Sequence, residues 1–294
     1  MKKLKGLYTA LVTPFTNKGN VDYRAMEKLL IMQMNAKVSG IVILGTTGEN
    51  ATLDQYEKHK IIEFVKNKLN KNTSLIVGAG SNDTEKTINE IKGLSCYKAD
   101  AILLASPCYT KPTAAGLYAH FKKIADESYA PIILYNIPSR TGISIPIEVV
   151  EKLRDHANIV GIKNSSSDPE YSLNLSKLDC ENFSVLSGND NLTLPLMSIG
   201  YSGVISVISN LLPNEMQFMI EKILKNDFRI AKILHNYLLD IINNTMIETN
   251  PIPIKFMLYK YGLISNNLRL PLTKLSKKHR INITNTMKTM QLLE

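Results

Sequence analysis

The residues best able to do chemistry stand at the ends of short apolar runs. Ile159-Val160-Gly161-Ile162-Lys163-Asn164 reads as a buried strand, apolar until a lysine at its C-terminal end. An ammonium is costly to bury, and burial favours the neutral amine, which is a nucleophile toward carbonyl carbon. Lys163 is therefore either an edge residue whose head reaches water or a Schiff-base former, and taken alone it leaves both open. Other groups follow other runs. Thr46 and Thr47 lie in Gly45-Thr46-Thr47-Gly48-Glu49 after a second run, and Tyr109 follows a fourth. Tyr135 ends a fifth with Arg140 in its loop, Gly188 follows a seventh, and Ile205 lies within an eighth. Each has a plain reading: a turn, a packed ring with a wet hydroxyl, a solvated guanidinium. Convergence on one mouth is what makes the set informative. An amine that attacks a ketone must shed water, and tyrosine and threonine hydroxyls relay protons. A keto-acid carboxylate needs N–H and O–H donors, which a Gly-Thr-Thr-Gly turn supplies. A second carboxylate suits the fork of an arginine.

Alternation of strand and helix signals positions these residues. Strands are expected at 7–12, 40–44, 75–77, 101–105, 131–135, 159–164, 183–186 and 203–208. Between them, helical patterns cover 22–38, with Asp22 as cap and Met26, Leu29, Leu30 and Met34 at helical spacing, then 54–69, 83–95 and 113–128. They continue at 146–154, 169–178, 192–199 and 213–224, the first of these with proline in its first turn. Apolar strands joined by helical crossovers make a parallel sheet buried on both faces. Eight such units over residues 1–226 fit an α/β fold, a closed (β/α)8 TIM barrel with its site at the C-terminal strand ends. No GxGxxG follows the first strand, which argues against an open doubly wound sheet. Residues 227–294 carry only helical patterns, at 230–246, 253–261 and 276–293, and form a C-terminal helical appendage.

Composition limits the partners. Of 294 residues 44% are hydrophobic, enough for a large core, and the net charge is +9. The lysines are dispersed, with no run of five like charges and no basic stripe interleaved with aromatics, so no nucleic-acid partner is expected. Cys96, Cys108 and Cys180 are widely spaced and form no CxxC or Cys/His cluster, so no zinc site or disulfide framework is indicated. The N-terminus faintly mimics a secretion signal, but Lys5 and Pro14 interrupt its apolar stretch. No apolar stretch reaches membrane-span length. The expectation is a cytoplasmic chain with reduced thiols and no membrane partner.

Taken together, these stretches resemble the dihydrodipicolinate synthase family (the 4-hydroxy-tetrahydrodipicolinate synthases), within the pyruvate-dependent class I aldolases. The resemblance covers nearly the whole chain. It rests on the Gly45–Glu49 loop, Ser106-Pro107-Cys108-Tyr109, Tyr135-Asn136-Ile137-Pro138-Ser139-Arg140-Thr141-Gly142, Gly161-Ile162-Lys163 and Leu186-Ser187-Gly188-Asn189-Asp190. Asn250-Pro251-Ile252-Pro253-Ile254-Lys255 and Leu268-Arg269-Leu270-Pro271-Leu272 extend it into the tail. It implies that Lys163 forms the Schiff base with pyruvate and that Tyr135 donates and accepts protons. It implies that Thr46 and Tyr109 complete a relay, with Tyr109 inserted into a neighbouring subunit's site. Thr47 and Ile205 would hold pyruvate, Gly188 would be a further substrate-binding position, and Arg140 would bind the carboxylate of L-aspartate 4-semialdehyde. The product would be 4-hydroxy-tetrahydrodipicolinate, on the path to diaminopimelate and lysine. A homotetramer built as a dimer of dimers and no metal or organic cofactor are further implications.

The chain departs from the family's usual pattern after Lys163, where Asn164-Ser165-Ser166-Ser167-Asp168 replaces an acidic residue followed by Ala-Thr or Ala-Ser, and at Asn189. That wording is closer to some aldolases of sugar acids. The alternative is therefore a lyase acting on N-acetylneuraminate or a 2-keto-3-deoxy sugar acid, against which Arg140 argues. A non-catalytic barrel would be expected to have lost Lys163, Tyr135 or Thr46. In lysine-inhibited relatives the effector cleft matches Ala51, Gln55, Lys58, Asn82, Lys86 and Cys108, and a glutamate matches Lys86. Lys58 and Lys86 would then face a cationic effector with that anion missing, which implies insensitivity to lysine.

Overall fold

A computed structural model describes residues 3–293 of the chain. Eight strands are hydrogen-bonded in sequence order into a closed barrel: β1 (Gly6–Ala10), β2 (Gly40–Ile43), β3 (Ser74–Ala79), β4 (Ala101–Ala105), β5 (Ile132–Asn136), β6 (Ile159–Asn164), β7 (Ser184–Ser187) and β8 (Gly203–Ser206). The helices of this (β/α)8 frame are α1 (Tyr23–Asn35), α2 (Gln55–Lys68), α3 (Thr84–Gly93), α4 (Ala114–Glu127), a single turn α5 (Pro138–Thr141), α6 (Ile147–Arg154), α7 (Pro169–Ser176), α8 (Thr193–Ser198) and α9 (Pro213–Leu224). Three more helices follow, α10 (Phe228–Asn244), α11 (Ile252–Lys260) and α12 (Lys277–Thr289). β1, β2, β5, β7 and β8 are buried at every residue, which is why their sequences read as unbroken apolar or small-residue runs.

Side-chain caps set where the helices begin. Asp22, Asp54, Asp83, Thr113, Asp168 and Asp227 each accept a hydrogen bond from a backbone N–H of the first turn that has no partner within the helix. Asp54 and Glu57 form a reciprocal capping box.

The chain packs as two compact units. The first holds residues 3–6 and 74–205. Its centre is apolar, with Ile76, Ile102, Ile132, Ile133, Leu134, Ile162, Val185 and Leu186 fully buried. Parallel pairing runs from β3 through β8, and the register sets Tyr135 beside Lys163, Asn136 beside Asn164, and Lys163 beside Leu186.

The second unit holds residues 7–73 and 206–293. Buried polar side chains tie it together. Thr9 Oγ1 donates to Gln33 Oε1 at 2.7 Å, and Gln33 Nε2 donates to the Ser209 carbonyl at 2.8 Å. Asn210 accepts from Val12 N–H at 3.1 Å and donates to the Ala10 carbonyl at 2.7 Å. In the tail, Asn244 links to Thr286 and Asn282 across α10 and α12.

Several boundaries differ from the sequence expectation by a few residues, and three differences have a local cause. The first strand stops at Ala10, and the backbone of Val12 turns to the Asn210 side chain instead of a strand. The eighth stops at Ser206, whose hydroxyl takes the Ser209 N–H as residues Ile208–Asn210 close a 3-10 turn. The loop after β5 contains the helical turn α5, ended by Gly142 at φ 76, a left-handed conformation that glycine adopts without Cβ strain.

Candidate active site

Lys163 is 5% exposed at the C-terminal end of β6, and Tyr135 is buried at the same level of β5. The lysine Nζ lies 4.2 Å from the centroid of the Tyr135 ring. Parallel pairing explains the meeting: residues in register on neighbouring strands put side chains on the same face.

Behind this pair, uncharged side chains fix the strand ends. Asn136 Nδ2 donates to Asn164 Oδ1 at 3.0 Å, and Ile145 N–H donates to Asn136 Oδ1 at 3.0 Å. Asn164 also accepts from Ser166 N–H at 3.1 Å. Its amide donates to Ser172 Oγ and to Tyr201 OH, both at 3.2 Å. Two donors and two acceptors of one buried amide are thus used, the condition under which a buried polar network rigidifies its surroundings. Burial pushes the Tyr201 phenol up, and its hydrogen bonds to Asn164 and Ser172 oppose that. The Tyr171 phenol, bonded to the Ile145 carbonyl at 2.8 Å, is also pushed up by burial.

Gly188 follows β7 with its N–H bonded to the Asn164 carbonyl at 2.7 Å. A Cβ there would lie 2.0 Å from Ser165 Oγ and 2.8 Å from Lys163 Cε. Only glycine leaves the lysine and Ser165 the space they occupy. Ile205 is fully buried in β8.

Tyr109 and Arg140 stand on exposed segments. Tyr109 is 89% exposed with φ 70, a left-handed conformation that is strained for a bulky residue. Arg140 projects from α5.

Thr46 and Thr47 belong to the second unit, in a 3-10 turn, Thr46–Gly48. Asn250 Nδ2 donates to Thr47 Oγ1 at 2.9 Å, and Thr13 Oγ1 donates to the Gly48 carbonyl at 2.7 Å. Glu49 leaves the turn at φ 53 with its carboxylate buried. That carboxylate accepts from Lys255 Nζ at 2.5 Å and from Arg269 N–H at 3.1 Å. Lys255 also donates to the Thr13 carbonyl at 2.9 Å and lies 4.2 Å from the Phe15 ring centroid. Burial pulls the Lys255 ammonium down to about 8, against the pull of Glu49. The Arg269 guanidinium lies 4.4 Å from the same ring centroid and donates to Glu57, Gly19 and Thr52.

Sequence reasoning did not single out Asn164, Glu49, Lys255 or Arg269 as parts of such networks. A lysine in the middle of the apolar helix α11 was the available signal. Among the described residues, no group of three or more His, Cys, Asp or Glu side chains is arranged to hold a metal ion, and the three cysteines are free and exposed.

A buried strand-end lysine beside a tyrosine, with a glycine keeping its path clear, can carry amine–carbonyl chemistry. The model of the Dihydrodipicolinate synthetase family matches residues 3–290. The chain belongs to this family. The 4-hydroxy-tetrahydrodipicolinate synthase of Hydrogenobaculum sp. (strain Y04AAS1) is 42% identical over 291 residues, which cover 99% of this chain and 100% of that protein. The solved structure of the chloride-inhibited dihydrodipicolinate synthase from Acinetobacter baumannii, complexed with pyruvate, has a TM-score of 0.96 at 36% identity, covering 99% of this chain and 100% of that one. A monomeric dihydrodipicolinate synthase variant has a TM-score of 0.95 at 35% identity, covering 99% of this chain and 98% of that one. Asn164, the residue after Lys163, is a neutral amide saturated by neutral partners.

Proposed function

We propose that this chain condenses pyruvate with L-aspartate 4-semialdehyde to give 4-hydroxy-tetrahydrodipicolinate, in diaminopimelate and lysine biosynthesis. The observation that carries the reading is the register pair Tyr135–Lys163, with the lysine amine held against the tyrosine ring in a buried site. Family membership and the names of the relatives support the choice of substrates.

In this reading Lys163 Nζ attacks the keto carbon of pyruvate, and water leaves as the imine forms. Tyr135 accepts and returns the protons, with Thr46 and Tyr109 as the rest of the relay. Loss of a methyl proton gives the enamine, whose carbon bonds the aldehyde carbon of the second substrate. Thr47, Ile205 and Gly188 hold pyruvate, and Arg140 offers its guanidinium to the semialdehyde carboxylate. The imine is the electron sink, so the scheme calls for no metal or organic cofactor.

The reading includes a dimer that exchanges Tyr109, paired again into a homotetramer. The exposed, strained Tyr109 supports it, because an isologous contact would cover that ring. Full activity of a monomer would count against the exchange. No helix among the described residues is long and apolar enough to cross a membrane. The reading places the enzyme in the cytoplasm, where exposed thiols stay reduced.

The deciding assay supplies pyruvate with either aspartate semialdehyde or a sugar-acid substrate. Turnover with the semialdehyde alone is expected. Cleavage of N-acetylneuraminate or a 2-keto-3-deoxy sugar acid, without condensation, would replace this reading with the lyase.

A further inference from the structure

Ser165 has a buried hydroxyl with no hydrogen-bond partner among the described residues. Such a group loses its hydration without compensation, and it is kept in folded proteins mainly where something else uses it. Its position is well fixed. Ser165 N–H donates to the Asn136 carbonyl at 2.8 Å, which continues the pairing of β5 and β6 by one residue. The flanking Asn164 carbonyl accepts from Gly188 N–H at 2.7 Å, and the Ser166 carbonyl accepts from Asn189 Nδ2 at 3.2 Å. Side chains two apart on an extended segment share a face, so Ser165 lies on the side of Lys163, one step nearer the barrel's C-terminal mouth. The hydroxyl and the lysine's terminal carbon crowd one point, the place a Cβ on Gly188 would occupy: Ser165 Oγ is 2.0 Å from it and Lys163 Cε is 2.8 Å from it.

We propose that Ser165 is a further catalytic hydroxyl, which donates a hydrogen bond to the oxygen on the carbon that Lys163 Nζ attacks. The inference rests on the Schiff-base reading above. Nζ is one bond beyond Cε, and the keto carbon is the next atom in line. As the N–C bond forms, the carbonyl π pair moves onto oxygen. That oxygen takes one amine proton to become the carbinolamine hydroxyl. It leaves with the second amine proton as water, and the imine remains. Ser165 keeps its own proton throughout and stabilises the negative charge that builds on the oxygen. The hydroxyl sits beside Cε, and so within reach of the first adduct.

The test is the rate at which borohydride quenched at successive times traps pyruvate on the enzyme, in wild type, Ser165→Ala and Ser165→Thr, with Tm measured on each. Ser165→Ala is expected to slow imine formation about tenfold, the size of one hydrogen bond to developing charge, and Ser165→Thr to stay within about threefold of wild type. The Tm of Ser165→Ala should hold or rise, because the lost hydroxyl has no partner in the folded chain. An unchanged trapping rate in Ser165→Ala overturns the proposal, and so does a rate that falls together with Tm. Wild type that traps no pyruvate would overturn the Schiff-base reading itself and this inference with it.

Discussion

Two lysines are buried among the described residues, and their surroundings are opposite in kind. Lys255 is 0% exposed and meets a carboxylate, a carbonyl and an aromatic face, so its charge is matched on every side. It fastens the backbone around Glu49, next to the Thr46–Gly48 turn, to helix α11. Lys163 is almost as buried, but it faces the Tyr135 ring, and uncharged amides and hydroxyls hold the strands around it. A lysine locked to a carboxylate serves structure. One held in neutral surroundings, with a glycine clearing its path, is available to react.

The comparison breaks first at Lys163→Ala. Activity should fall by at least about 10⁴-fold, since a covalent route is lost, while Tm holds or rises because a costly buried amine is gone. Steady-state rates and thermal melts check both halves. A large fall in Tm would make Lys163 a fastener like Lys255.

Lys255→Met should do the reverse. Removing one partner of a buried pair leaves the Glu49 carboxylate uncompensated and should cost about 3–5 kcal/mol of stability in denaturant unfolding. A loss near zero would mean that Glu49 finds enough donors in Arg269 and its own loop.

Arg140→Ala sharpens the contrast between imine formation and the later step. It should lower kcat/KM for aspartate semialdehyde by about a hundredfold, the cost of a lost fork to a carboxylate, and leave pyruvate trapping on Lys163 nearly intact. Equal damage to both steps would make Arg140 structural.

The smallest expected effect concerns an ammonium from solution. Free lysine would need a carboxylate such as the one Lys255 has, yet the expected effector cleft carries Lys58 and Lys86, and nearby Glu85 is already paired with Lys123. Initial rates at fixed pyruvate should therefore not change as lysine is raised through the millimolar range. Strong inhibition below that range would contradict the charge argument.

Much of this was legible in the sequence where local rules decide. Strand runs, the Asp22 cap and the lysine ending an apolar strand all depend on neighbours a few residues away. Glu49 and Lys255 lie 206 residues apart, so their pairing could not be read from spacing. The left-handed backbone of Tyr109 and the side-chain turn that ends β8 at Ser206 depend on tertiary packing rather than composition. Gly188 was visible as a loop glycine, but the crowding of Ser165 and Lys163 against its missing Cβ was not.

In the proposed mechanism Lys163, and not the deeper Lys255, is the reactive amine. Borohydride reduction in the presence of pyruvate, followed by peptide mapping, tests it directly. One pyruvate-derived mass per chain is expected, on Lys163 alone. Label on Lys255, on a surface lysine, or on no lysine at all would contradict it.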